Sequence, residues 1–329
     1  MKKYNIAIIG ATGLVGSTFL KVMDEKNIDV SNLYLYASKK SEGKIINYRG
    51  KEYIVKDIEK YSGEKVDFAL FSAGASISKE YAKKFIDSGA IVIDNSSYFR
   101  MDENSPLIVP EINFNDRAIG NLIANPNCST ITAVLPLYHL DKEFDLIRVN
   151  YTTYQAVSGS GIKGINDYKR CLNGEDPLFY PYDITKTCIP EIDSFDQENH
   201  YTKEELKMVN ETRKILHKKD LRVSATCIRV PILNSHGVVT SCEFKKKIDM
   251  DKVYECLKNK EGLVLIDDIN NHGYPTQIIS NGNDNVYVGR IRKDLSCDNG
   301  LIFYSTLDNV RKGAASNAVE IMEKIIKEM

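Results

Sequence analysis

Cys128, in the string Asn125-Pro-Asn127-Cys128-Ser129-Thr130, has the setting of a covalent nucleophile. Pro126 breaks any helix before it, and the apolar run at 131–137 predicts a helix after it. Cys128 then stands at or near a helix N-terminus, where peptide dipoles favour a thiolate. A thiolate there can attack an acyl carbon. Most intracellular cysteines are inert core residues, so position alone leaves both readings open. A second motif bears on the choice. Gly10-Ala-Thr-Gly13-Leu-Val-Gly16 follows an apolar run and opens a helical one. Glycine lets backbone approach a diphosphate, and the helix N-terminus offers it N–H groups. The spacing is GxxGxxG rather than GxGxxG, and the plainer alternative is a tight turn with no ligand. A cysteine beside a nicotinamide suits aldehyde or acyl chemistry, because hydride transfer interconverts thiohemiacetal and thioester.

Other side chains could complete such a site. After the second apolar run the chain reads Ala37-Ser38-Lys39-Lys40-Ser41, where NAD-binding folds often carry a carboxylate. Hydroxyls and ammonium groups admit a 2′-phosphate, which favours NADP; the alternative is a solvated loop. Histidines stand at 139, 200, 217, 236 and 272, and chemistry alone does not choose among them. His236 sits between Ser235 and Gly237, which suits a loop tip at a strand end and by itself reads as a solvated side chain. Arg229 lies in a strand-like run; its fork can grip a carboxylate or join a structural ion pair. Glu204 and Lys207 share a face of a predicted helix. With Glu211 and Lys214 they read, taken alone, as a solvated charged stripe.

Before residue 127, short apolar runs (4–9, 33–36, 66–71, 91–93) alternate with helical spacing (14–23, 81–87). That alternation predicts a parallel sheet covered on both faces. After 127 the character changes. Strand-like runs at 148–157, 223–230, 237–246, 286–292 and 301–307, with a helix at 202–218, predict an α+β unit with an open mixed sheet. A final helix is expected over 309–329. The domain expectation is therefore 1–127, completed by that helix, and 128–308.

The 329 residues carry 44 Lys+Arg and 45 Asp+Glu, a net charge of −1 that gives no footprint for nucleic acid. Seven cysteines, at 128, 171, 188, 227, 242, 256 and 297, form no CxxC pair, so no metal site is expected. The start MKKYNIAIIGATG lacks the length of a signal peptide, and no apolar stretch approaches the ~20 residues of a membrane helix. A reduced, cytoplasmic protein is expected.

The chain resembles the bacterial aspartate-semialdehyde dehydrogenase family nearly end to end. The strings that carry the likeness include GATGLVG (10–16), ASKKSEGK (37–44), FSAGAS (71–76), DNSSYFRM (94–101), NPNCST (125–130), TYQAVSGSG (153–161), EELKMVNETRKI (204–215), RVPILNSHG (229–237) and DNVRKGAASNAVEI (308–321). The resemblance implies a Rossmann-like NADP domain and a catalytic, dimerising domain, in a homodimer or homotetramer. It implies reductive dephosphorylation of L-aspartyl 4-phosphate to L-aspartate 4-semialdehyde and phosphate. Cys128 would be the nucleophile and His236 the acid/base. Arg229 would grip the substrate carboxylate, Glu204 its ammonium, and Arg100 and Lys207 its phosphate, with Asn127 and Gln155 also on the substrate. The cofactor would meet Gly10, Thr12, Gly13, Leu14, Val15, Gly16, Ser38, Lys39, Ser41, Ser72, Ala73, Gly74, Asn95, Ser158, Gly159, Gly161, Asn309 and Gly313. Thr187-Cys188 departs from the family pattern and puts one supporting contact in doubt. The alternatives are N-acetyl-γ-glutamyl-phosphate reductase, which needs no ammonium pocket, and a non-catalytic binding protein.

Overall fold

The structure is a computed structural model that describes residues 2–329, the side chains of 118 and 119 excepted. The chain divides into two compact units, Met1–Pro126 with Ala314–Met329, and Asn127–Gly313.

The first unit holds strands β1 (Tyr4–Ile9), β2 (Val30–Ala37), β3 (Ile45–Tyr48), β4 (Lys51–Ile54), β5 (Lys56–Asp57), β6 (Phe68–Phe71), β7 (Ile91–Asp94) and β8 (Leu122–Ala124). Six form one parallel sheet in the order β5-β2-β1-β6-β7-β8, and β3 pairs with β4 in a separate hairpin that the sequence reading missed. Side chains of a strand alternate between faces, and β1 shows the result. Ile6 and Ile8 pack with Phe19, Val22 and Met23 of helix α1 (Leu14–Glu25) and with Val319, Ile321 and Met322 of the C-terminal helix Ser316–Glu328. Ala7 and Ile9 pack on the opposite face with Tyr81, Ala82 and Phe85 of α2 (Ala75–Asp87). Each Ile, Val, Met or Phe side chain so buried contributes roughly 1.5–3 kcal/mol. The C-terminal helix starts later than the sequence suggested. Residue 309 lies in a turn, Arg311–Ala315 form one wide π turn, and regular helix begins at Ser316.

The second unit holds β9 (Leu146–Gln155), β10 (Arg222–Arg229), β11 (His236–Phe244), β12 (Leu263–Leu265), β13 (Val286–Lys293) and β14 (Gly300–Leu307) in the order β10-β9-β11-β14-β13-β12. The sheet is mixed: β9 runs parallel to β10 and antiparallel to β11. Its helices are α3 (Cys128–Phe144), α4 (Gly161–Leu172), α5 (Lys203–Ile215), α6 (Met250–Leu257) and the short α7 (Gln277–Ser280). Helix α3 is buried on all sides over residues 129–137, with Ile131, Val134, Leu135, Leu137 and Leu140 fully inside, and only its last turns reach solvent.

Candidate active site

Glycine shapes the first unit's ligand-facing edge. Gly10 ends β1 at φ +93°, a conformation that favours glycine, and an added Cβ would lie 2.9 Å from the Ser72 carbonyl carbon. A Cβ on Gly16 would sit 2.1 Å from the Gly10 carbonyl oxygen, so α1 can approach the loop only without that atom. Gly13 occupies the cap position of α1 and brings no side chain to it, so no side chain satisfies the first-turn N–H groups. Gly10, Thr12, Gly13, Ala37, Ser38, Ser72 and Ala73 line a cleft of about 270 Å³ at the carboxyl ends of β1, β2 and β6. That is the crevice where open α/β sheets bind dinucleotides. Thr12 donates to Ser41 Oγ at 3.2 Å, Ser38 and Lys39 are exposed, and Leu14 and Val15 begin α1. Gly74 precedes α2, while Asn95 follows β7 and accepts at its main-chain oxygen from Arg100 Nη2 at 3.0 Å. Backbone cradle and uncapped helix start fit the diphosphate of a nicotinamide dinucleotide.

The second unit assembles its polar groups around Cys128, the first residue of α3 and partly exposed. Asn127 caps the helix, its Oδ1 accepting from the N–H groups of Ser129 (2.9 Å) and Thr130 (3.2 Å). Its other side-chain atom, Nδ2, donates to Glu204 Oε1 at 2.8 Å, and its main-chain N–H donates to Glu211 Oε2 at 2.7 Å. Gln155 Nε2 donates to the same Glu204 oxygen at 3.0 Å. Lys207 Nζ donates to Glu204 Oε2 at 3.1 Å and to Asp193 Oδ2 at 3.0 Å. Burial alone would raise the Glu204 pKa; the Lys207 charge and the three donors overcome it and hold the carboxylate at about 2. Lys207 is partly desolvated, yet Glu204 and Asp193 raise its pKa, so it stays charged.

A capping box turns Glu204 inward. Thr202 Oγ1 accepts from Glu205 N–H, and Glu205 Oε2 accepts from Thr202 N–H at 2.7 Å. Glu205 Oε1 also accepts from Cys227 N–H at 3.0 Å, which ties the start of α5 to β10. The solvated stripe that charge spacing suggested is therefore absent at Glu204 and Glu211, which are 5% and 1% exposed. Helical periodicity could have shown that 204 and 211 share a face, but not that the face is covered. Asp193 carried no sequence signal at all.

His236 also departs from expectation. It is the first residue of β11 and fully buried, not a loop tip. Its Nδ1 accepts from Ala156 N–H at 3.0 Å. Burial first, then the Arg229 charge, pushes the imidazole down to about 3. The ring is neutral at ordinary pH and carries its proton on Nε2. Ala156 also accepts, at its carbonyl, from Arg229 Nη1 at 2.8 Å. Gly159 lies over the pair: an added Cβ would be 2.7 Å from Arg229 Nη1 and 3.1 Å from His236 Nε2. Gly313 stands against the cysteine, its absent Cβ leaving 2.7 Å to Cys128 Cβ. Ser158 donates to Asn234 Oδ1 at 2.8 Å and bonds Asn309, which in turn accepts from Ser235 N–H at 2.9 Å. Gly161 opens α4 at φ +68° with open space around it. The departing segment, Thr187-Cys188, leads directly into Ile189, whose backbone pairs with that of Arg229. Among the described residues no group of His, Cys, Asp and Glu could hold a metal ion.

Comparison with known proteins agrees with this architecture. Residues 5–119 match the family model "Semialdehyde dehydrogenase, NAD binding domain", and residues 136–312 match "Semialdehyde dehydrogenase, dimerisation domain". An aspartate-semialdehyde dehydrogenase of Aquifex aeolicus is 48% identical over 336 residues, with 99% of this chain and 98% of that protein covered. The Bacillus subtilis enzyme of the same name is 42% identical, with 98% and 97% covered. The crystal structure of aspartate semialdehyde dehydrogenase II from Vibrio cholerae, complexed with ASA, superposes with a TM-score of 0.95 at 40% identity over 99% of both chains. The chain belongs to the aspartate-semialdehyde dehydrogenase family, oxidoreductases that act on an aldehyde.

Proposed function

We propose that Cys128 carries the acyl group of L-aspartyl 4-phosphate as a thioester, and that the first unit binds NADPH in preference to NADH. The carrying observation is two hydrogen-bonded groups held by adjacent residues at the end of β9: Gln155 bonds Glu204, which bonds Asn127 beside the thiol, and the next residue, Ala156, bonds His236 and Arg229 through its backbone. Cys128 reacts as a thiolate, its proton lost to solvent beforehand and its charge favoured at the N-terminal end of α3; it attacks the acyl carbon, and the C–O bond to phosphate breaks. Lys207 supports the departing phosphate, because two of its three N–H bonds are used and the third has no partner among the described residues. Arg100 supplies the second cation. Arg229 commits one nitrogen to Ala156 and keeps the rest of its fork for the substrate α-carboxylate. Glu204, held ionised, serves the substrate ammonium, and Gln155 orients the acyl group. When bound, NADPH supplies the hydride that reduces the thioester. His236 Nε2–H donates to the oxyanion that reduction leaves, and the C–S bond then breaks to free L-aspartate 4-semialdehyde and Cys128.

This refines the acid/base role that the resemblance implied for His236. With Nδ1 engaged by Ala156 N–H, the neutral ring is a hydrogen-bond donor at Nε2 rather than a base for the thiol. The second unit, which matches a dimerisation domain, would pair two copies of the chain, and the cytoplasm is the expected compartment. The test is an assay with aspartate semialdehyde, phosphate and NADP or NAD. Wild type should show phosphate-dependent reduction, faster with NADP, and Cys128→Ala should show none. Turnover by Cys128→Ala overturns the thioester reading.

A further inference from the structure

Three asparagines in the first unit form a relay whose direction is fixed by backbone carbonyls. Asn317 and Asn125 are fully buried. Asn317, on the C-terminal helix, donates from Nδ2 to Ile108 O at 3.0 Å and to Asn125 Oδ1 at 2.7 Å. Asn125 donates from Nδ2 to Ala314 O at 3.1 Å and to Asn95 Oδ1 at 2.7 Å. A carbonyl oxygen only accepts, so Ile108 and Ala314 forbid either buried amide from turning over. The Asn317 Oδ1 atom is buried without a partner, and reversal would set it against the Ile108 carbonyl. Asn95 must then present its oxygen inward and its Nδ2 outward. That NH₂ group has no partner among the described residues, and Asn95 itself is only partly buried.

The sheet order says what Asn95 meets. The glycine loop ends β1, Ser38 and Lys39 end β2 on one side of it, and β6 then β7 lie on the other. A dinucleotide with its phosphorylated ribose at Ser38 and its diphosphate at Gly10–Gly13 extends its nicotinamide half toward β7. We propose that Asn125 and Asn317 are positioning residues that lock Asn95 as a hydrogen-bond donor to an acceptor oxygen on the nicotinamide half of the cofactor. The proposal rests on the cofactor reading given above.

The test is fluorescence titration with NADPH, alongside titration with 2′,5′-ADP, a fragment without the nicotinamide half. Asn95→Ala and Asn317→Leu should each weaken NADPH about tenfold, as loss of one buried neutral hydrogen bond does. The double variant should be no weaker than Asn95→Ala alone, and 2′,5′-ADP should bind all forms alike. Asn125→Ser, expected to behave as Asn317→Leu, serves if the leucine variant does not fold. Equal weakening of both ligands, or losses that multiply in the double variant, assigns Asn317 to general support and overturns the relay. Wild-type NADPH affinity in Asn317→Leu or Asn125→Ser does the same. If wild type binds neither ligand, the cofactor reading itself falls and the relay with it.

Discussion

Asn127 and Glu204 are joined by a 2.8 Å hydrogen bond that makes the cap of α3 and the buried carboxylate of α5 one structural piece. The carboxylate receives donors from Asn127, Gln155 and Lys207, so an amide in its place would set an N–H against one of them. Glu204→Gln should lower stability by about 2 kcal/mol, from the lost charge-assisted bonds. Denaturant unfolding at pH 7 measures this. An unchanged midpoint would show that the network is slack.

Gly159→Ala separates the site from the fold. Gly159 is exposed and its φ is not in the left-handed region, so alanine brings no backbone strain. The new methyl group instead enters the gap between Arg229 Nη1 and His236 Nε2. Turnover should fall about 100-fold, the scale of displacing a donor aimed at a reacting oxygen, while the melting temperature stays near wild type. Gly174→Ala, outside the site at φ +79°, should do the reverse, losing about 1 kcal/mol of stability to its positive φ with little loss of rate.

Ser38→Asp should raise the KM for NADPH about 10- to 100-fold and leave that for NADH much less changed. The exposed end of β2 would then present a carboxylate to the 2′-phosphate, and like charges that close repel. Comparing kcat/KM for the two cofactors checks it; an unchanged preference removes Ser38 from cofactor selection.

His236 makes stability depend on pH in a stated direction. Its pKa falls from the ordinary 6.5 to about 3 on folding. Between these values the unfolded chain binds a proton that the folded chain does not. The contribution is complete above about pH 6.5 and is lost as pH falls toward 3, by up to about 1.4 kcal/mol per pH unit. His236→Asn should therefore show a shallower loss than wild type between pH 6.5 and 4.5, and parallel curves would contradict the buried neutral ring. For the same reason the acid limb of the wild-type rate profile should show no ionisation of His236 near 6.5.

Local patterns made much of the molecule legible before any coordinates. Short apolar runs placed β1, β2, β6 and β7, and Pro126 followed by an apolar run placed Cys128 at the head of α3. Failures came where distance along the chain hides contact in space. His236 reads as a loop residue because Asn234, Ser235 and Gly237 flank it, yet it pairs with Leu307 of β14 and is fully buried. Glu211 reads as a surface charge because nothing near it in sequence announces that it accepts from Asn127, 84 positions away. Ala156, whose N–H and C=O orient His236 and Arg229, was invisible because its contribution is made entirely by backbone.

The split composition of the first unit also sets an order of events during synthesis. Residues 127–313 leave the ribosome as one contiguous stretch and can fold as they emerge. The parallel sheet, by contrast, has one face covered only in part, by α1, until Ala318, Val319, Ile321, Met322 and Ile325 arrive, after the whole of the other unit has been made. The nascent nucleotide-binding half must therefore wait with apolar surface uncovered, so trigger-factor-like holding of residues 1–126 should matter more to the yield of this enzyme than to that of a protein whose sheet is closed by its own neighbours in sequence.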